Sequence, residues 1–298
     1  MSVVVVACCR LSGEAEPSCL FPDGDRGLLV RALAAVGLGA VAVSWDDPGF
    51  DWVSPAGVLV SSTWDSVDRP EEYVRWARRV SATTTLVNPA EVIEWNLDKT
   101  YLRDLAGVGL RVLPTEWVPP GGSWSGNADG DVVVKPSVSA GGRDTAWYSQ
   151  GQSALVEAHV ARLVGLGHTV MVQPYVVSVD DPGEIDLIYI DGRFSHAVRK
   201  KPLLERDVGV LARPWERMGW LGLAEPTAAE RSLGDDTAAV LAARFGDLVY
   251  GRVDIVALAG GEPTLLEVEL IDPNLSLSDF PEAASRLAAA VVERLPGH

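Results

Sequence analysis

Residues 251–270 read Gly-Arg-Val-Asp-Ile-Val-Ala-Leu-Ala-Gly-Gly-Glu-Pro-Thr-Leu-Leu-Glu-Val-Glu-Leu, two largely apolar runs on either side of a glycine pair. Aliphatic and β-branched runs around Gly-Gly are typical of a β-hairpin. A two-residue turn at Gly260-Gly261 would fix the register of the two strands. The predicted pairs are then Arg252 with Glu269 and Asp254 with Glu267.

Charge is concentrated on one face of this hairpin. Because side chains alternate across a strand, the four paired charged residues share a face. The other face is apolar and is predicted to contain Val253, Ile255, Leu266, Val268 and Leu270. Opposed like charges repel each other, and a bound divalent cation offsets that repulsion. A solvated face is the alternative, although such a face usually mixes Thr, Lys and Gln.

The chemistry of the carboxylates suggests which cation would bind. Oxygen ligands alone suit Mg²⁺, which keeps several waters and usually binds together with a phosphate. The hairpin therefore predicts a magnesium–nucleotide site, with Asp254, Glu267 and Glu269 as the metal ligands.

The overall composition limits the classes of protein that fit. The chain has 298 residues and a net charge of −16, from 25 basic and 41 acidic residues. Such acidity disfavours a nucleic-acid partner, since binding a phosphate backbone needs a basic patch. Hydrophobic residues make up 47% of the chain, enough for two domains. We find no membrane-length apolar run and no signal peptide, and therefore expect a cytoplasmic protein.

Lysine is rare in this sequence. Only four of the 25 basic residues are lysines, namely Lys99, Lys135, Lys200 and Lys201. A chain that otherwise uses arginine keeps lysine mainly where a compact ammonium is needed. The common nucleotide motifs do not explain these lysines, because Gly-Lys-Ser and Gly-Lys-Thr are absent and Gly37-Leu38-Gly39 follows a predicted helix instead of a strand.

Hydrophobic periodicity divides the chain near residue 97. Residues 1–97 predict an α/β domain, with strands at Val3–Ala7, Val41–Trp45 and Val58–Ser61 and helices at Asp25–Val36 and Arg69–Val80. Residues 98–298 predict an α+β domain. Its strands are expected at Asp131–Pro136, Thr169–Gln173, Ile185–Ile190 and Phe194–Arg199, and its helices at Asp98–Ala106, Ser153–Leu166 and Thr227–Phe245.

Several segments together resemble the ATP-grasp ligases. In that family an Asp and a Glu-x-Asn or Glu-x-Glu pair hold two Mg²⁺, and residues 251–254 and 267–269 match this pattern. The other motifs follow in family order: Asn-Leu-Asp-Lys at 96–99, Val-Val-Val-Lys-Pro at 132–136, a glycine-rich loop at 137–143, and Val-Gln-Pro-Tyr-Val at 172–176. The resemblance implies an ATP-grasp fold over 98–298, with 112–175 as a smaller nucleotide-covering lobe, preceded by an α/β N-terminal (pre-ATP-grasp) domain.

The resemblance also implies roles for individual residues. The cofactors would be ATP and two Mg²⁺. The nucleotide and its phosphates would be bound by Lys99, Lys135, Ser137, Ser139, Gly141, Gly142, Gln173, Tyr175, Val176, Asp181, Glu184 and Arg199, with Glu184 or Asp181 as the ribose contact. Arg252 would face the transferred phosphate, with Lys200 or Lys201 beside it.

The chain further resembles a bacterial subgroup of this family. The shared motifs are Trp-Asp-Asp-Pro at 45–48, Ser-Thr-Trp-Asp at 62–65, Asn-Pro-Ala…Trp-Asn…Asp-Lys at 88–99 and Glu-Leu-Ile-Asp-Pro-Asn-Leu at 269–275. The subgroup includes a ligase that closes the ring of D-cycloserine from O-ureido-D-serine. Ligands bind beyond the carboxyl ends of strands in open α/β sheets, so the strand at 58–61 is expected to bring Ser62, Thr63, Trp64 and Asp65 to the amino-acid substrate. Asp65 would meet the substrate ammonium, or would alternatively be a turn or helix-capping residue. Asn274 is a further expected substrate contact, and residues 203–226 are expected to form a cover. Ser61 and Ser66 depart from the subgroup, which often has Arg and Tyr there.

The implied activity is the joining of a carboxylate to a nitrogen nucleophile. The carboxylate attacks the γ-phosphate of ATP to form an acyl phosphate, and the nitrogen then displaces phosphate. In a cyclising ligase, that nitrogen belongs to the same small molecule. One alternative is an intermolecular ligase similar to D-alanine–D-alanine ligase or glutathione synthetase, and another is a non-catalytic nucleotide-binding protein. The sequence leaves open whether the chain forms a homo-oligomer.

Overall fold

The chain forms three β-sheets. The computed structural model describes residues 2–9, 24–126, 130–211 and 219–296. The first sheet contains four parallel strands in the order β2-β1-β3-β4. Its strands are β1 (Val3–Cys8), β2 (Gly39–Ser44), β3 (Gly57–Val60) and β4 (Thr85–Val87), and helices α1 (Gly24–Ala35) and α2 (Pro70–Ser81) connect them. The predicted α/β arrangement of this region is confirmed, with element ends displaced by one or two residues.

The second sheet is antiparallel and has the order β11-β10-β9-β12-β13. Its strands are β9 (Ile185–Ile190), β10 (Arg193–Lys200), β11 (Trp220–Leu223), β12 (Tyr250–Ala257) and β13 (Pro263–Glu269). Asp191 and Gly192 turn the chain between β9 and β10 with φ values of 51° and 67°, as the Asp-Gly sequence predicts. Helix α6 (Ala228–Phe245) packs on this sheet and begins with a capping box, in which the Thr227 hydroxyl accepts a hydrogen bond from the Glu230 N–H.

The third sheet is also antiparallel and has the order β5-β8-β6-β7. Its strands are β5 (Glu116–Val118), β6 (Val132–Pro136), β7 (Ala146–Tyr148) and β8 (Val170–Pro174), covered by helix α5 (Ser153–Gly165). The helix expected at Asp98–Ala106 is α4 (Tyr101–Gly107). An additional helix that was not predicted, α3 (Ala90–Asn96), precedes it. The C-terminal helix α7 (Glu282–Arg294) packs against α1 and the first sheet, so the proposed boundary near residue 97 stays a prediction.

The β12–β13 hairpin has the predicted register at its charged end and a different turn. Arg252 pairs with Glu269 and Asp254 with Glu267, but Ala257 pairs with Pro263, so the turn is one residue longer than a Gly260-Gly261 turn. A β-bulge at Leu266 takes up this extra residue.

The bulge also corrects the predicted apolar face of the hairpin. Leu265, and not Leu266, packs in the core with Val253 and Val268. Leu266 lies on the same side as Glu267 and lines a cavity described below.

Side chains from α3 and α4 satisfy the outer edge of β13. The Asn96 amide donates to the Val268 carbonyl and accepts from the Leu270 N–H, both at 2.8 Å. The Tyr101 hydroxyl donates to the same carbonyl at 2.7 Å and accepts from the Val268 N–H at 2.9 Å. An exposed strand edge would carry unpaired backbone groups. Asn96 and Tyr101 pair with these groups and so fix the position of β13 relative to α3 and α4.

Asn88 joins the first and second sheets in the same way. Its amide nitrogen donates to the carbonyls of Tyr250 and Leu270, each at 2.9 Å, and its oxygen accepts from the Val249 N–H at 3.2 Å. Asn88 is 1% exposed, so water cannot replace any of these hydrogen bonds.

Replacing Asn88 with Ala is expected to lower the free energy of unfolding by about 2–4 kcal/mol, since three buried backbone groups lose a partner. Urea denaturation measures this change. Ser54→Ala, which removes an exposed loop hydroxyl, is the control and should change stability by less than about 0.5 kcal/mol. A loss below about 1 kcal/mol in Asn88→Ala would show that Asn88 does not hold the sheets together.

Candidate active site

A cavity of about 300 Å³ lies where the three sheets meet. The first sheet contributes the segment after β3, the second contributes β10, β12 and β13, and the third contributes β6 and the chain after β8. Five carboxylates and six cations line the cavity. They are Glu184, Asp254, Glu267, Glu269 and Asp272, with Lys99, Lys135, Arg143, Lys200, Lys201 and Arg252. All four lysines of the chain therefore reach one site.

A buried network of charges forms the floor of this cavity. Lys200 Nζ lies 2.8 Å from Glu184, 3.0 Å from Asp186 and 3.1 Å from Asp254. The Arg252 guanidinium binds both oxygens of Asp254, at 2.7 and 2.8 Å. Asp186 and Asp254 lie directly opposite each other on β9 and β12, so the two cations offset a like-charge pair that would otherwise be unfavourable.

The pKa values in this network follow from its geometry. Burial and the neighbouring Asp254 charge raise the pKa of Asp186 well above its ordinary value. Although burial acts in the opposite direction, Arg252 and Lys200 hold the pKa of Asp254 below its ordinary range. Burial and Arg252 favour a neutral Lys200, but the three carboxylates around it outweigh them and raise the pKa of this lysine. Lys200 therefore stays charged in the folded protein.

Asp186 was not predicted as a site residue. It is fully buried, and neither of its carboxylate oxygens has a hydrogen bond of acceptable geometry within the described part of the chain. Lys200 Nζ at 3.0 Å and Arg252 Nε at 3.3 Å are its charged neighbours. The available signal was a single carboxylate within the apolar strand Ile185–Ile190.

The predicted metal ligands share the cavity but are not gathered around one point. Among the described residues, the carboxylates whose oxygens lie within 4.8 Å of one another are Glu184, Asp186 and Asp254. Glu267 is instead paired with Lys99 at 3.1 Å, and Glu269 with Arg252 at 2.7 Å. Asp254, Glu267 and Glu269 therefore do not form one such cluster among the described residues, and their role as metal ligands stays a prediction.

Lys99 and Lys135 line the cavity together with the residues of the charge network. The Lys99 ammonium donates to the Ser139 carbonyl at 2.6 Å, which attaches it to the glycine-rich loop. Burial lowers the pKa of Lys135, the charge of Glu267 opposes this shift, and Lys99 adds to it. An incoming anion would relieve the mutual repulsion of the two lysines.

The glycine-rich loop contributes only part of its predicted residues. Ser139, Gly141 and Gly142 line the cavity, and both glycines have positive φ values, 60° and 73°, that favour glycine. Ser137 does not line it, because its backbone carbonyl binds the Lys99 N–H and its N–H binds the Thr169 carbonyl.

The end of β8 and the segment after it line the opposite wall. Gln173, Tyr175 and Val176 all face the cavity, as does Glu184. The Tyr175 ring is stacked on Trp147 at a centroid distance of 3.6 Å. Asp181 is exposed and does not line the cavity, so of the two ribose candidates only Glu184 lies there.

Arg199 lies outside the site. Its guanidinium donates to the Gly183 carbonyl at 2.9 Å and pairs with Glu230 at the start of α6. Adjacent residues of a strand point to opposite faces, so Arg199 is directed away while Lys200 points inward. The prediction that Arg199 contacts the nucleotide is not supported by its position. Lys201 follows the strand, lines the cavity and is exposed.

The predicted substrate residues divide into two groups. Trp64 and Asn274 line the cavity, whereas Ser62, Thr63 and Asp65 do not. Asp65 is buried and accepts hydrogen bonds from Trp45 Nε1 at 2.8 Å and Arg69 at 3.0 Å. Both of its oxygens are therefore already bound, and we withdraw Asp65 as a substrate contact.

The predicted cover is described only in part. Leu203, Leu204 and Gly219 line the cavity, while residues 212–218 lie outside the described residues. The segment is attached to the third sheet, since Asp207 accepts hydrogen bonds from the N–H and the hydroxyl of Ser149 at 2.9 and 2.7 Å.

Within the described part of the chain, no helix is both long and apolar enough to span a membrane.

The chain is similar over nearly its whole length to proteins of known function and structure. A sequence model described as "D-cycloserine synthetase DcsG, N-terminal domain" matches residues 3–88. The chain is 35% identical over 285 residues to the cycloserine biosynthesis protein DcsG of Streptomyces lavendulae, covering 92% of this chain and 94% of that protein. The crystal structure of D-cycloserine synthetase DcsG is similar with a TM-score of 0.86 and 32% identity, over 98% of this chain and 99% of that one.

A more distant similarity shows the wider class. A RimK domain ATP-grasp protein from Sphaerobacter thermophilus has a TM-score of 0.65 at 19% identity, over 98% of this chain and all of that one. The fold is thus the ATP-grasp fold, which confirms the predicted fold class. The similarity to D-cycloserine synthetase confirms the predicted type of enzyme, a ligase. Within that class, the chain belongs to the family of the cycloserine biosynthesis protein DcsG.

Replacing Lys200 with Met tests whether the carboxylates around it can hold a cation. We expect a loss of about 3 kcal/mol of stability, because Glu184, Asp186 and Asp254 lose a shared partner. Millimolar Mg²⁺ should raise the thermal midpoint of this variant more than that of the unaltered protein, since the ion can replace the ammonium. Arg199→Met, on the outer face of the same strand, is the matched control. Equal Mg²⁺ responses in all three proteins would contradict the hypothesis.

The lowered pKa of Lys135 predicts a pH-dependent interaction with polyphosphate. The charged form binds phosphate, so nucleotide affinity should fall as the pH rises through this pKa, which lies below the ordinary lysine value. Above it, the KM for ATP should increase by up to tenfold per pH unit. Lys135→Arg keeps its charge and should flatten the profile. If the KM for ATP depends on pH in the same way in Lys135→Arg and in the unaltered protein, a group other than Lys135 causes the pH dependence.

Proposed function

We propose that the protein closes a ring within one amino-acid molecule at the expense of ATP, with O-ureido-D-serine as substrate and D-cycloserine as product. The observation that carries this proposal is the near full-length similarity to DcsG, together with a cavity that is lined by all four lysines of the chain. A reaction that consumes ATP belongs in the cytoplasm, which is where we place the protein.

The chemistry is an activation followed by a cyclisation. The substrate carboxylate attacks the γ-phosphate of ATP, which releases ADP and forms an acyl phosphate. The nitrogen bound to the side-chain oxygen then attacks the acyl carbon, and phosphate leaves as the ring closes. Water converts the remaining carbamoyl group to carbon dioxide and ammonia. The protein supplies positioning and charge neutralisation and needs no covalent nucleophile.

The cations of the cavity are suited to the phosphates. Lys99 and Lys135 would neutralise charge on the nucleotide, with Lys201 near the cover. Arg252 would stabilise the transferred group, since its guanidinium is held rigidly by Asp254 and Glu269. Lys200 is paired with three carboxylates. To bind a phosphate oxygen, its ammonium would release one of these carboxylates.

The donor set also fits Mg²⁺. The carboxylates that line the cavity floor offer oxygen ligands only, and Asp186 has two buried oxygens without a good hydrogen bond. We propose Asp254, Glu267 and Glu269 as the residues that would hold two Mg²⁺, with Glu267 and Glu269 exchanging their present cationic partners. When bound, the ions would supply charge neutralisation between the phosphates and the carboxylates.

Phosphate release in the presence of ATP, Mg²⁺ and O-ureido-D-serine tests the proposal, with chromatography of D-cycloserine as the second readout. Formation of both products supports cyclisation. Phosphate release with pairs of amino acids, but not with O-ureido-D-serine, would instead indicate an intermolecular ligase. Nucleotide binding without any turnover would indicate a non-catalytic protein.

Replacing Glu269 with Gln is expected to lower kcat by on the order of a hundredfold with little change in the thermal midpoint, because a ligand and the partner of Arg252 are lost while like-charge repulsion is relieved. Glu262→Gln, in the exposed turn of the same hairpin, is the matched control and should leave kcat unchanged. A kcat close to that of the control would remove Glu269 from the proposed site.

A further inference from the structure

Asp272 is a cavity carboxylate with surroundings unlike those of the others. It follows β13 by three residues and lines the cavity at the end nearest the first sheet. The Thr63 hydroxyl donates to its carboxylate at 3.0 Å, and the same hydroxyl lies 2.8 Å from the buried Tyr73 hydroxyl. The Trp64 indole donates to its backbone carbonyl at 3.3 Å. Thr63 therefore fixes the carboxylate of Asp272, and Trp64 fixes its backbone, where the residue lines the cavity.

Charge balance distinguishes Asp272 from the other four carboxylates that line the cavity. Glu184 and Asp254 are paired with Lys200, Glu267 with Lys99, and Glu269 with Arg252. For Asp272, in the ranges that the structure describes, no lysine or arginine nitrogen lies within 4 Å of the carboxylate. Its recorded side-chain partners are the hydroxyl and the N–H of Thr63, both of which are neutral.

The electrostatic environment of this carboxylate favours an added positive charge. Burial and the nearby Glu269 charge raise the pKa of Asp272 to about 8, and the hydrogen bonds from Thr63 only partly oppose this shift. A cation next to Asp272 would stabilise the ionised carboxylate.

The distance along the chain fits an amino acid spanning this end of the cavity. Glu269 is bound to Arg252, which faces the transferred phosphate in the proposed reaction. Asp272 follows Glu269 by three residues, which span at most about 10 Å of chain. In an α-amino acid, the ammonium and the carboxylate are attached to the same carbon. A substrate with its carboxylate near Arg252 therefore presents its ammonium to this part of the wall.

We propose that Asp272 binds the α-ammonium of the amino-acid substrate and is the residue that selects for it. The assignment rests on the proposed function and deepens it. Thr63 is a positioning residue, because it holds the carboxylate of Asp272. Trp64 and Asn274 contribute the neighbouring wall. Asp272 thus takes the role that the sequence motif suggested for Asp65.

The test compares Asp272→Asn with Asp65→Asn, a matched change at a carboxylate that does not line the cavity. Phosphate release gives kcat and KM for ATP, for O-ureido-D-serine and for its analogue without the α-amino group. Asp272→Asn should raise the KM for O-ureido-D-serine by tenfold to a hundredfold and barely change the KM for ATP, as expected for a lost charged hydrogen bond. Asp65→Asn should leave both constants within about twofold, provided that its thermal midpoint is unchanged.

The analogue separates binding of the ammonium from a structural effect. The unaltered protein should use O-ureido-D-serine at least tenfold better, in kcat/KM, than the analogue, and Asp272→Asn should lose most of that preference. An unchanged preference in the variant, or equal increases in both KM values, would overturn the role of Asp272.

Failure of the proposed function gives a separate result. If the unaltered protein rejects O-ureido-D-serine but uses another amino acid, the proposed function fails, and the same comparison is made with that amino acid and its desamino analogue. If no amino acid supports phosphate release, both proposals are overturned.

Discussion

The structure depends on two aspartates placed directly opposite each other on the neighbouring strands β9 and β12. Asp186 and Asp254 are both buried, and such a pair is tolerated only with cations close by. Lys200 from β10 and Arg252 from β12 supply that charge. Three adjacent strands of the second sheet are therefore held in one register by charge as well as by backbone hydrogen bonding. A shift of one residue in any of them would turn a charged side chain towards the apolar face.

The cavity needs all three sheets because each contributes a different kind of group. The second sheet provides the charged floor, the third provides Lys135 and the wall after β8, and the segment after β3 provides Trp64 near Asp272. Asn88 and Asn96 hold this arrangement together, since both bind backbone groups of the β12–β13 hairpin that would otherwise be unpaired. The two amides of one sequence motif are thus explained by backbone hydrogen bonding and not by contact with a ligand.

Much of the fold and part of the site could be predicted from the sequence, for identifiable physical reasons. Aliphatic periodicity was sufficient for the strands, and parity along a strand placed Asp254 and Glu267 on one face. The turn at Gly260-Gly261 was predicted one residue too short, and the bulge at Leu266 compensated for this error. Asp186 was missed because a buried strand is recognised by its apolar residues. Asp65 was misassigned because its partners, Trp45 and Arg69, become its neighbours only in the folded chain.

The bulge at Leu266 has a consequence for how this hairpin can change during evolution. On one side of it, Glu267 and Glu269 are fixed by pairing with β12 and by the side chains of Asn96 and Tyr101. On the other side, the chain runs through an exposed glycine turn. The bulge can accommodate a residue inserted into or deleted from that turn. The length of the turn can therefore change during evolution while the carboxylates keep their positions.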